Sequence, residues 1–366
     1  MILREVTTKD YTEIKKLFKR NQLKMINFDR WNNLWLKNPF LKKKKKRWTK
    51  GWIVEQNKRV VGHVGNFPMN YFLNKKSYIC AVLNGWVVDR KFRSSSIFLI
   101  RKYFSQLNAD FFLGTSFDLR TSKIMQAINV KQVPSDGLDS SLIIVIKSSS
   151  IIKYFFGNIS FPFKKFLFNF LSAFLLLFFK KRFNYWQKKF SSKNIVKCKV
   201  IDNRFNFIWK KIMSHQRNKL LFNRDTKWLK WHLDHFIKRK RAWIFLSTID
   251  NKINGYTICI EKINYKKNIK SALLIDLMTF NNFDETSKNL IGANIREAKR
   301  RNCDIFEFRG FDEKKRTYMK FFKPFEKKLL LNPFYYKSRN KKLGKLLAEY
   351  RYWNLSYIDG DATVSL

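Results

Sequence analysis

Apolar residues in the first 147 positions change their spacing along the chain, from a helical period to a strand period. Tyr11, Ile14, Leu17 and Phe18 recur every three or four residues, which predicts a helix after a short first strand. Residues 78–89 are almost wholly apolar, which is typical of a strand in the middle of a sheet. The predicted strands of this half are residues 2–7, 51–57, 59–73, 78–89, 109–117 and 140–147, and the predicted helices are residues 7–21, 28–40, 90–108 and 119–129.

The second half of the chain repeats this order of elements. The predicted strands are residues 241–250, 255–263, 270–280, 303–310 and 327–337, and the predicted helices are residues 285–302 and 312–322. A hairpin, a central strand, a helix, a strand, a helix and a strand therefore occur twice, which indicates an internal duplication. The sequence predicts an α/β protein with mixed sheets in two tandem units. The expected division is an N-terminal domain at 1–147, a basic and apolar connecting segment at 148–192, a C-terminal domain at 193–338 and a C-terminal tail at 339–366.

Composition limits the class of protein further. The 366 residues include 76 Lys and Arg against 27 Asp and Glu, a net charge of +49, yet 45% of the chain is hydrophobic and 17% is aromatic. Disordered basic tails lack such apolar content, so a purely disordered nucleic-acid arm is excluded. The four cysteines lie too far apart in sequence for a disulfide framework, which favours a reducing, cytoplasmic location.

The positive charge has two interpretations that the sequence leaves open. Lys, Asn, Ile and Phe all have A/T-rich codons, and solvated surfaces accept Lys readily, so coding bias alone could raise the Lys content. A cationic surface would also attract an anionic partner such as CoA phosphates, a membrane headgroup or a nucleic acid, of which the nucleic acid is the less favoured. The basic run at 42–47 fits a solvated loop or a basic patch.

One apolar segment raises the question of membrane contact. Phe166–Phe179 is apolar and lies between Lys164-Lys165 and Lys180-Lys181-Arg182. As a helix it would span about 21 Å, less than the ~30 Å hydrocarbon core of a bilayer. A buried helix or peripheral membrane contact through residues 161–182 is therefore expected rather than a span. The N-terminal sequence has no apolar core of the signal-peptide type.

The segment WVVDRKFRSSSIFLIRKYF follows the central predicted strand and opens a helix. In pattern and position it resembles the acyl-CoA loop of the GNAT (Gcn5-related) N-acetyltransferase superfamily, and the whole chain resembles its tandem two-domain acyltransferases. Arg93 fits the first position of the family's phosphate fingerprint, whereas Ser96 and Phe98 stand where the family has small residues. Helix N-terminal amides favour anions. The resemblance implies that acetyl-CoA or another acyl-CoA is a co-substrate and is contacted by Val87, Val88, Arg93, Ser94, Ser95 and Ser96.

Acceptor and catalytic residues are implied by the same resemblance. Ser116 and Asp118 fall where the family's loop touches the acceptor, although Asp118 could equally cap a helix. Tyr318 lies where a family tyrosine often protonates the leaving thiolate, with core packing as the alternative. Catalytic candidates on the strands that could accept a proton or polarise the thioester are Glu55, His63, Asn84 and Asp89.

The expected function is acyl transfer, acetyl above all, from CoA to an amine acceptor. The cationic surface favours an anionic or membrane-associated acceptor such as an amino sugar in surface-polysaccharide assembly. Alternatives are an aminoacyl-tRNA-dependent transferase of the peptidoglycan type and a non-catalytic anion- or membrane-binding protein on a degenerate GNAT scaffold. His232 and His235 lack a third metal ligand, so no metal is expected. Asp359 and Asp361 around Gly360 suggest a turn or a contact to a cationic acceptor.

Overall fold

The computed structural model describes residues 1–44, 47–147, 194–250, 252–265, 268–280, 283–329, 333–364 and 366. These residues form two mixed β-sheets with helices packed on them, and each sheet has its own hydrophobic core. The prediction of an α/β fold in two tandem units is confirmed.

The first half follows the predicted order closely. Its strands are β1 (Ile2–Glu5), β2 (Gly51–Gln56), β3 (Arg59–Leu73), β4 (Lys76–Val88), β5 (Phe111–Gly114), β6 (Lys131–Gln132) and β7 (Ser140–Val145). Its helices are α1 (Tyr11–Arg20), α2 (Phe28–Leu36), α3 (Pro39–Lys44), α4 (Ser96–Phe104) and α5 (Leu119–Ala127), with a 3₁₀ turn at Arg90–Ser95 before α4. Asn27 begins α2 by accepting a hydrogen bond from the backbone of Arg30 at 3.1 Å, the usual role of an N-cap side chain.

The second half has the same order, and it begins with two short strands and two helices that were not among the elements predicted for it. Its strands are β8 (Ile195–Cys198), β9 (Leu221–Phe222), β10 (Ala242–Ile249), β11 (Lys252–Asn264), β12 (Ile269–Thr279), β13 (Ile305–Arg309), β14 (Phe325–Lys328) and β15 (Tyr335–Ser338). Its helices are α6 (Arg204–His215), α7 (Thr226–Lys238), α8 (Phe283–Arg300), α9 (Glu313–Lys320) and α10 (Lys341–Leu347).

The two sheets exchange a strand. The first sheet has the order β1-β2-β3-β4-β5-β15-β6, and the second has β8-β10-β11-β12-β13-β7-β14. The sixth position of each sheet is therefore filled by a strand from the other half. Leu142 and Ile144 of β7 are buried in the second core, while Tyr335 and Tyr336 of β15 are buried in the first. Each half thus needs the other to complete its sheet.

This exchange corrects two strand assignments made from the sequence. Residues 140–147 do form a strand, but it closes the second sheet instead of the first. Residues 327–337 were predicted as one strand; the structure has β14 ending at Lys328 and a separate β15 beginning at Tyr335, in different sheets. The division into domains at 147, 193 and 338 stays a prediction. These boundaries cut the chain into consecutive segments, whereas each sheet contains strands from both halves.

The chain after α10 returns to the junction between the halves. Residues 355–364, the C-terminal segment, are almost entirely buried there. Arg224, which is 1% exposed, donates to Asp276 of β12 at 2.9 Å and to Asp359 of this segment at 3.0 Å. Lys315 donates from Nζ to the Leu355 carbonyl at 2.9 Å. Residues predicted as a tail are therefore an interior part of the protein.

The possible membrane segment at 161–182 lies outside the described residues. Among the residues that are described, no helix is long and apolar enough to cross a bilayer.

Candidate active site

The first sheet opens at the carboxyl ends of its two central strands. β4 and β5 run parallel, but they pair only from Cys80 with Phe111 to Val82 with Leu113. β4 continues for six further residues, and within the described part of the chain no strand pairs with that edge beyond Val82. The opening between the strands, here called the first cleft, leaves backbone donors and acceptors of β4 for a ligand.

A β-bulge shapes the wall of the first cleft. His63 of β3 pairs with Val87, and Gly65 pairs with Asn84, so β4 has one extra residue between these two pairs. Gly85 lies in the bulge with a φ of 63°, a left-handed conformation that glycine adopts without a Cβ penalty. The bulge turns the backbone of β4 at the point where the strand leaves its neighbour.

The His63 side chain forms a hydrogen bond with the backbone of this bulge. Its Nδ1 lies 2.6 Å from the Gly85 carbonyl oxygen, and because that oxygen can only accept, Nδ1 carries the proton. Burial lowers the pKa of His63 to about 4, so the ring is neutral at physiological pH. His63 Nε2 and Trp86 Nε1 are buried and have no partner among the described residues. Two buried polar atoms without partners beside one bulge are typical of a site that a ligand or water completes.

The predicted phosphate loop lies at the end of β4. Val87 is buried and Val88 half-buried, whereas Arg93 and Ser94 are exposed and Ser96 is half-buried. Ser95 is buried and donates its hydroxyl proton to the Phe92 carbonyl at 2.7 Å, so it stabilises the turn. Phe98, 52% exposed, points away from the core. The side chain at this atypical position therefore stays out of the packed interior.

Across the first cleft, the end of β5 meets the C-terminal segment. Asp361 accepts hydrogen bonds from the backbone N–H and the hydroxyl of Thr115, both at 2.9 Å, and from the hydroxyl of Ser116. Burial raises the pKa of Asp361, while the bonds from Ser116 and Thr115 act in the opposite direction. Ser116 is exposed, and Asp361 is 4% exposed. An accessible hydroxyl is thus backed by a buried carboxyl group.

Gly360 allows this contact. It has a φ of 110°, and a Cβ at this position would lie 2.4 Å from the Thr115 Cγ2. Thr115 and Ser116 follow β5 directly, two and three residues beyond Leu113, the last β5 residue that pairs with β4. Ser116 and Asp361 therefore lie at the carboxyl end of β5, where the first cleft opens.

Other residues predicted for the site lie elsewhere. Glu55 forms an ion pair with Arg4 at 2.7 Å, joining β2 to β1. Asp89 accepts from Arg20 at 2.8 Å and is tied to α1. Asp118 caps α5 by accepting from the backbone N–H of Thr121 at 2.8 Å.

The fourth predicted catalytic residue, Tyr318, belongs to the second half. It lies on α9, is 6% exposed, and has its pKa raised to about 12 by burial and by Asp284 and Asp312. The structure thus places His63 and Asn84 at the β4 bulge, and it joins Ser116 to Asp361 at the end of β5.

Several solved structures superpose on most of this chain. An Enterococcus faecalis V583 protein of unknown function, described as a probable N-acyltransferase, superposes with a TM-score of 0.57 at 11% identity, over 93% of this chain and 72% of that one. N-myristoyltransferase from Saccharomyces cerevisiae, with bound myristoyl-CoA, gives 0.55 at 12% identity over 92% and 82%. A GCN5-related N-acetyltransferase from Kribbella flavida gives 0.55 at 7% identity over 93% and 71%. The chain has the GNAT-type N-acyltransferase fold. No protein-family model and no curated protein sequence matches it.

The second GNAT-type half has an equivalent cleft, but the chain itself occupies it. β12 pairs with β13 only as far as Leu274 with Phe308, and it also bulges at Ile275. The Ile275 carbonyl accepts a hydrogen bond from the backbone N–H of Ile358 at 3.0 Å. The C-terminal segment therefore fills the second cleft on its way to Ser116 in the first.

The sequence offered Asp361 as a turn residue or a contact to a cationic acceptor, but it did not connect Asp361 with Ser116. Asp361 is separated from Ser116 by 245 positions, so no local spacing connects them. The signal that was present is the pair of acidic residues around Gly360 in a strongly basic chain. Gly85, directly after Asn84 in an otherwise apolar strand, is the corresponding signal for the bulge.

Proposed function

We propose that this protein is an acyl-CoA-dependent N-acyltransferase whose reaction takes place in the first cleft. The observation that carries the proposal is the contrast between two equivalent clefts. The second contains Ile358. In the part of the chain that the structure describes, the first keeps an unpaired β4 edge and two unpartnered buried polar atoms, His63 Nε2 and Trp86 Nε1. An amide-rich co-substrate such as the pantetheine arm of CoA would pair with an open strand edge.

The loop between β4 and α4 would hold the CoA phosphates. Arg90, Lys91 and Arg93 lie in the turn that leads into the N-terminus of α4. Helix N-termini and nearby cations both favour phosphate. Of the residues predicted to contact acyl-CoA, Arg93, Ser94 and Ser96 keep this role in the proposal, whereas Ser95 serves the loop itself.

Ser116 and Asp361 would handle the proton of the acceptor amine. The amine nitrogen attacks the thioester carbonyl carbon, the carbon–sulfur bond breaks, and CoA leaves as the thiolate. The proton released by the amine passes to the Ser116 hydroxyl oxygen while the Ser116 proton passes to Asp361, whose pKa burial raises. His63 does not act as the base in this scheme, because burial lowers its pKa to about 4 and so makes its Nε2 a weak proton acceptor at neutral pH.

The identities of the acyl group and of the acceptor are proposed from the sequence. Acetyl is the expectation from the sequence, and an amine on a small molecule or glycan is the expected acceptor. A cytoplasmic location, with membrane contact through residues 161–182, likewise stays a prediction.

Titration with acyl-CoA tests the proposal before any acceptor is known. Acetyl-CoA and longer acyl-CoA thioesters are added to the full chain while its thermal unfolding is followed. A ligand present at 100 times its Kd adds about 2.7 kcal/mol to the free energy of unfolding. Absence of stabilisation by every acyl-CoA tested would reject the proposal.

The proton relay is tested with Ser116→Ala and Asp361→Asn. Both should retain acyl-CoA binding while kcat for amine acylation falls by roughly 10²-fold or more, the usual loss when general-base catalysis is removed. Ser214→Ala is the matched control, since Ser214 is an exposed hydroxyl at the end of α6. A kcat within twofold of wild type for Asp361→Asn would remove the relay from the proposal.

A further inference from the structure

A large groove runs between α2 and α3 of the first half and α6 and α7 of the second. Its volume is about 1810 Å³, and in the described part of the chain its lining includes seven Lys and Arg side chains against three Asp. Two of these acids are already engaged. Asp225 caps α7 by accepting from the backbone N–H of Trp228 at 3.0 Å, and Asp234 pairs with Lys238 at 2.9 Å. The lining of the groove therefore carries a net positive charge, which favours an anionic ligand.

Four basic groups cluster near one end of this groove. The Arg30 guanidinium lies 4.8 Å from the centre of the Phe236 ring, and the Arg241 guanidinium lies 5.9 Å from the same ring. His235 and Arg239 line the groove beside them. Among the described residues, no carboxylate lies within salt-bridge distance of Arg30, which donates instead to the Thr363 carbonyl at 2.8 Å.

The groups in this cluster repel one another. Burial, together with Arg241 and Arg239, lowers the pKa of Arg30 to about 10. Burial, together with Arg30, Arg239 and Arg241, lowers the pKa of His235 to about 4. Half-buried arginines without a counter-ion are costly, and an anion bound between them would relieve that cost.

The cluster lies close to the proposed relay along the C-terminal segment. Thr363, which accepts from Arg30, follows Asp361 by two residues, and the backbone N–H of Val364 returns to the Asp361 carbonyl at 2.9 Å, so the segment turns here. Two residues of chain span at most about 7 Å. Arg30 and Ser116 therefore contact the same short segment, at positions two residues apart.

We propose that Arg30 and Arg239 bind the anionic group, a phosphate or a carboxylate, of the acceptor whose amine is acylated. This inference rests on the proposed function for the word acceptor, but the anion site itself does not depend on it. Arg30 and Arg239 together present planar donors suited to either oxyanion. The acceptor class is therefore a small amine that carries a phosphate or carboxylate, which includes phosphorylated or acidic amino sugars.

The anion site is tested directly by calorimetric titration of the full chain with inorganic phosphate and, in a second arm, with acetate. Arg239→Gln should weaken binding of the favoured anion by about tenfold, the loss typical of one charge-assisted hydrogen bond. Arg239 is exposed, so this variant should fold normally, and Arg30→Gln provides a second readout at the half-buried position. Lys345→Gln removes the same charge from an exposed position on α10 and should leave the Kd unchanged.

The results separate the two proposals. Loss of binding in both arginine variants but not in Lys345→Gln supports the site, and the arm that responds identifies phosphate or carboxylate chemistry. Equal affinity in all variants, or an equal loss in Lys345→Gln, overturns it. In acylation assays the same anion should compete with the amine and not with acyl-CoA. If no acyl-CoA binds, the proposed function fails, while the titration still decides whether the anion site exists.

Discussion

The two halves have the same sheet, the same bulge and the same opening, yet their clefts differ in content and charge. In the first, the turn before α4 contains Arg90 and Arg93 and the β4 edge is open. In the second, the first turn of α8 contains Asp284 and Glu285, and the Ile275 carbonyl is bonded to Ile358. Acidic side chains at a helix N-terminus repel phosphate. On the proposed function, the first copy of the duplicated unit binds the ligand, and the second copy, whose cleft contains the C-terminal segment, does not.

The contacts of the C-terminal segment in the second cleft also fix the position of Asp361 in the first. The C-terminal segment pairs with β12 at Ile358, is fixed by Asp359 to the fully buried Arg224, and two residues later places Asp361 against Thr115 and Ser116. Occupying the second cleft therefore orients a carboxyl group in the first. On the proposed function, the second half therefore positions one residue of the site in the first half.

Separating the halves should have the largest effect. Residues 1–147 alone lack β15, and residues 193–366 alone lack β7, whose side chains from Leu142 to Val145 are at most 4% exposed. Each isolated half would leave a central sheet edge open and expose apolar side chains, so neither should show a cooperative thermal transition by circular dichroism. The control is co-expression of both pieces, which should restore a single transition. A half that melts cooperatively on its own would show that the exchange is dispensable.

Gly360→Ala should break the link between the clefts. The added Cβ would lie 2.4 Å from Thr115 at a φ of 110°, so the segment must move, at a cost of about 2–3 kcal/mol in the free energy of unfolding. Because Asp361 moves with it, acylation should fall further than stability alone explains. Both are measured by urea unfolding and by initial rates at saturating acyl-CoA.

Gly344→Ala is the matched control for that substitution. Gly344 lies in helix α10, and its added Cβ would meet the Ser338 Cβ at 3.3 Å, a contact that a small shift relieves. Alanine also has the higher helix propensity, so stability should stay within about 1 kcal/mol of wild type. If the two variants behave alike, the close approach at Gly360 has no special role.

Acid should affect the first cleft through His63. Its pKa in the folded protein is about 4, below the ordinary value of 6.5, so between these values the unfolded chain binds a proton that the folded chain excludes. Stability from this group is complete above about pH 6.5 and is lost as the pH falls toward 4, by up to about 1.4 kcal/mol per pH unit.

His63→Gln isolates this contribution. The glutamine amide can donate to the Gly85 carbonyl but does not titrate, so the slope of the free energy of unfolding between pH 6.5 and 5 should become shallower than that of wild type. The equivalent bulge in the second half has no histidine: there Thr257 accepts from Asn294 at 2.7 Å. Identical slopes in the two proteins would mean that His63 is not shielded as the structure indicates.

The positions of helices and strands could be predicted from the sequence, but the pairing of the strands within the sheets could not. The apolar run at 78–89 became β4 at Lys76–Val88, and the helix predicted at 285–302 became α8 at Phe283–Arg300. Periodicity indicates which face of an element is buried, but not against which sheet it packs. An apolar run such as 140–147 could be buried in either sheet, so the exchange of β7 could not be predicted.

Among the residues of the candidate site, too, some properties could be predicted from the sequence and others could not. Ser116 was named as a site residue from the family resemblance, whereas the strand pattern placed it inside a strand at 109–117 that in fact ends at Gly114. The roles of His63 and Glu55 could not be predicted, since burial and an ion pair with Arg4 decide them, and both are tertiary properties. Asp361 depends on 245 residues of intervening chain, a distance over which no motif spacing operates.

Charge reversal should give the smallest effect and sharpen the comparison most directly. Arg93→Glu places a carboxylate where the first cleft is proposed to hold phosphate, and it should weaken acyl-CoA binding by roughly fivefold, on the order of 1 kcal/mol for an exposed charge near a helix N-terminus. The reciprocal change, Asp284→Lys, makes the second helix N-terminus basic, but it should not create a second acyl-CoA site, because the C-terminal segment still occupies that cleft. Calorimetry measures both the Kd and the number of sites per chain. One site in each variant, weakened only by Arg93→Glu, is the expected result, whereas a second site in Asp284→Lys would mean that charge alone, and not the buried segment, had closed the second cleft.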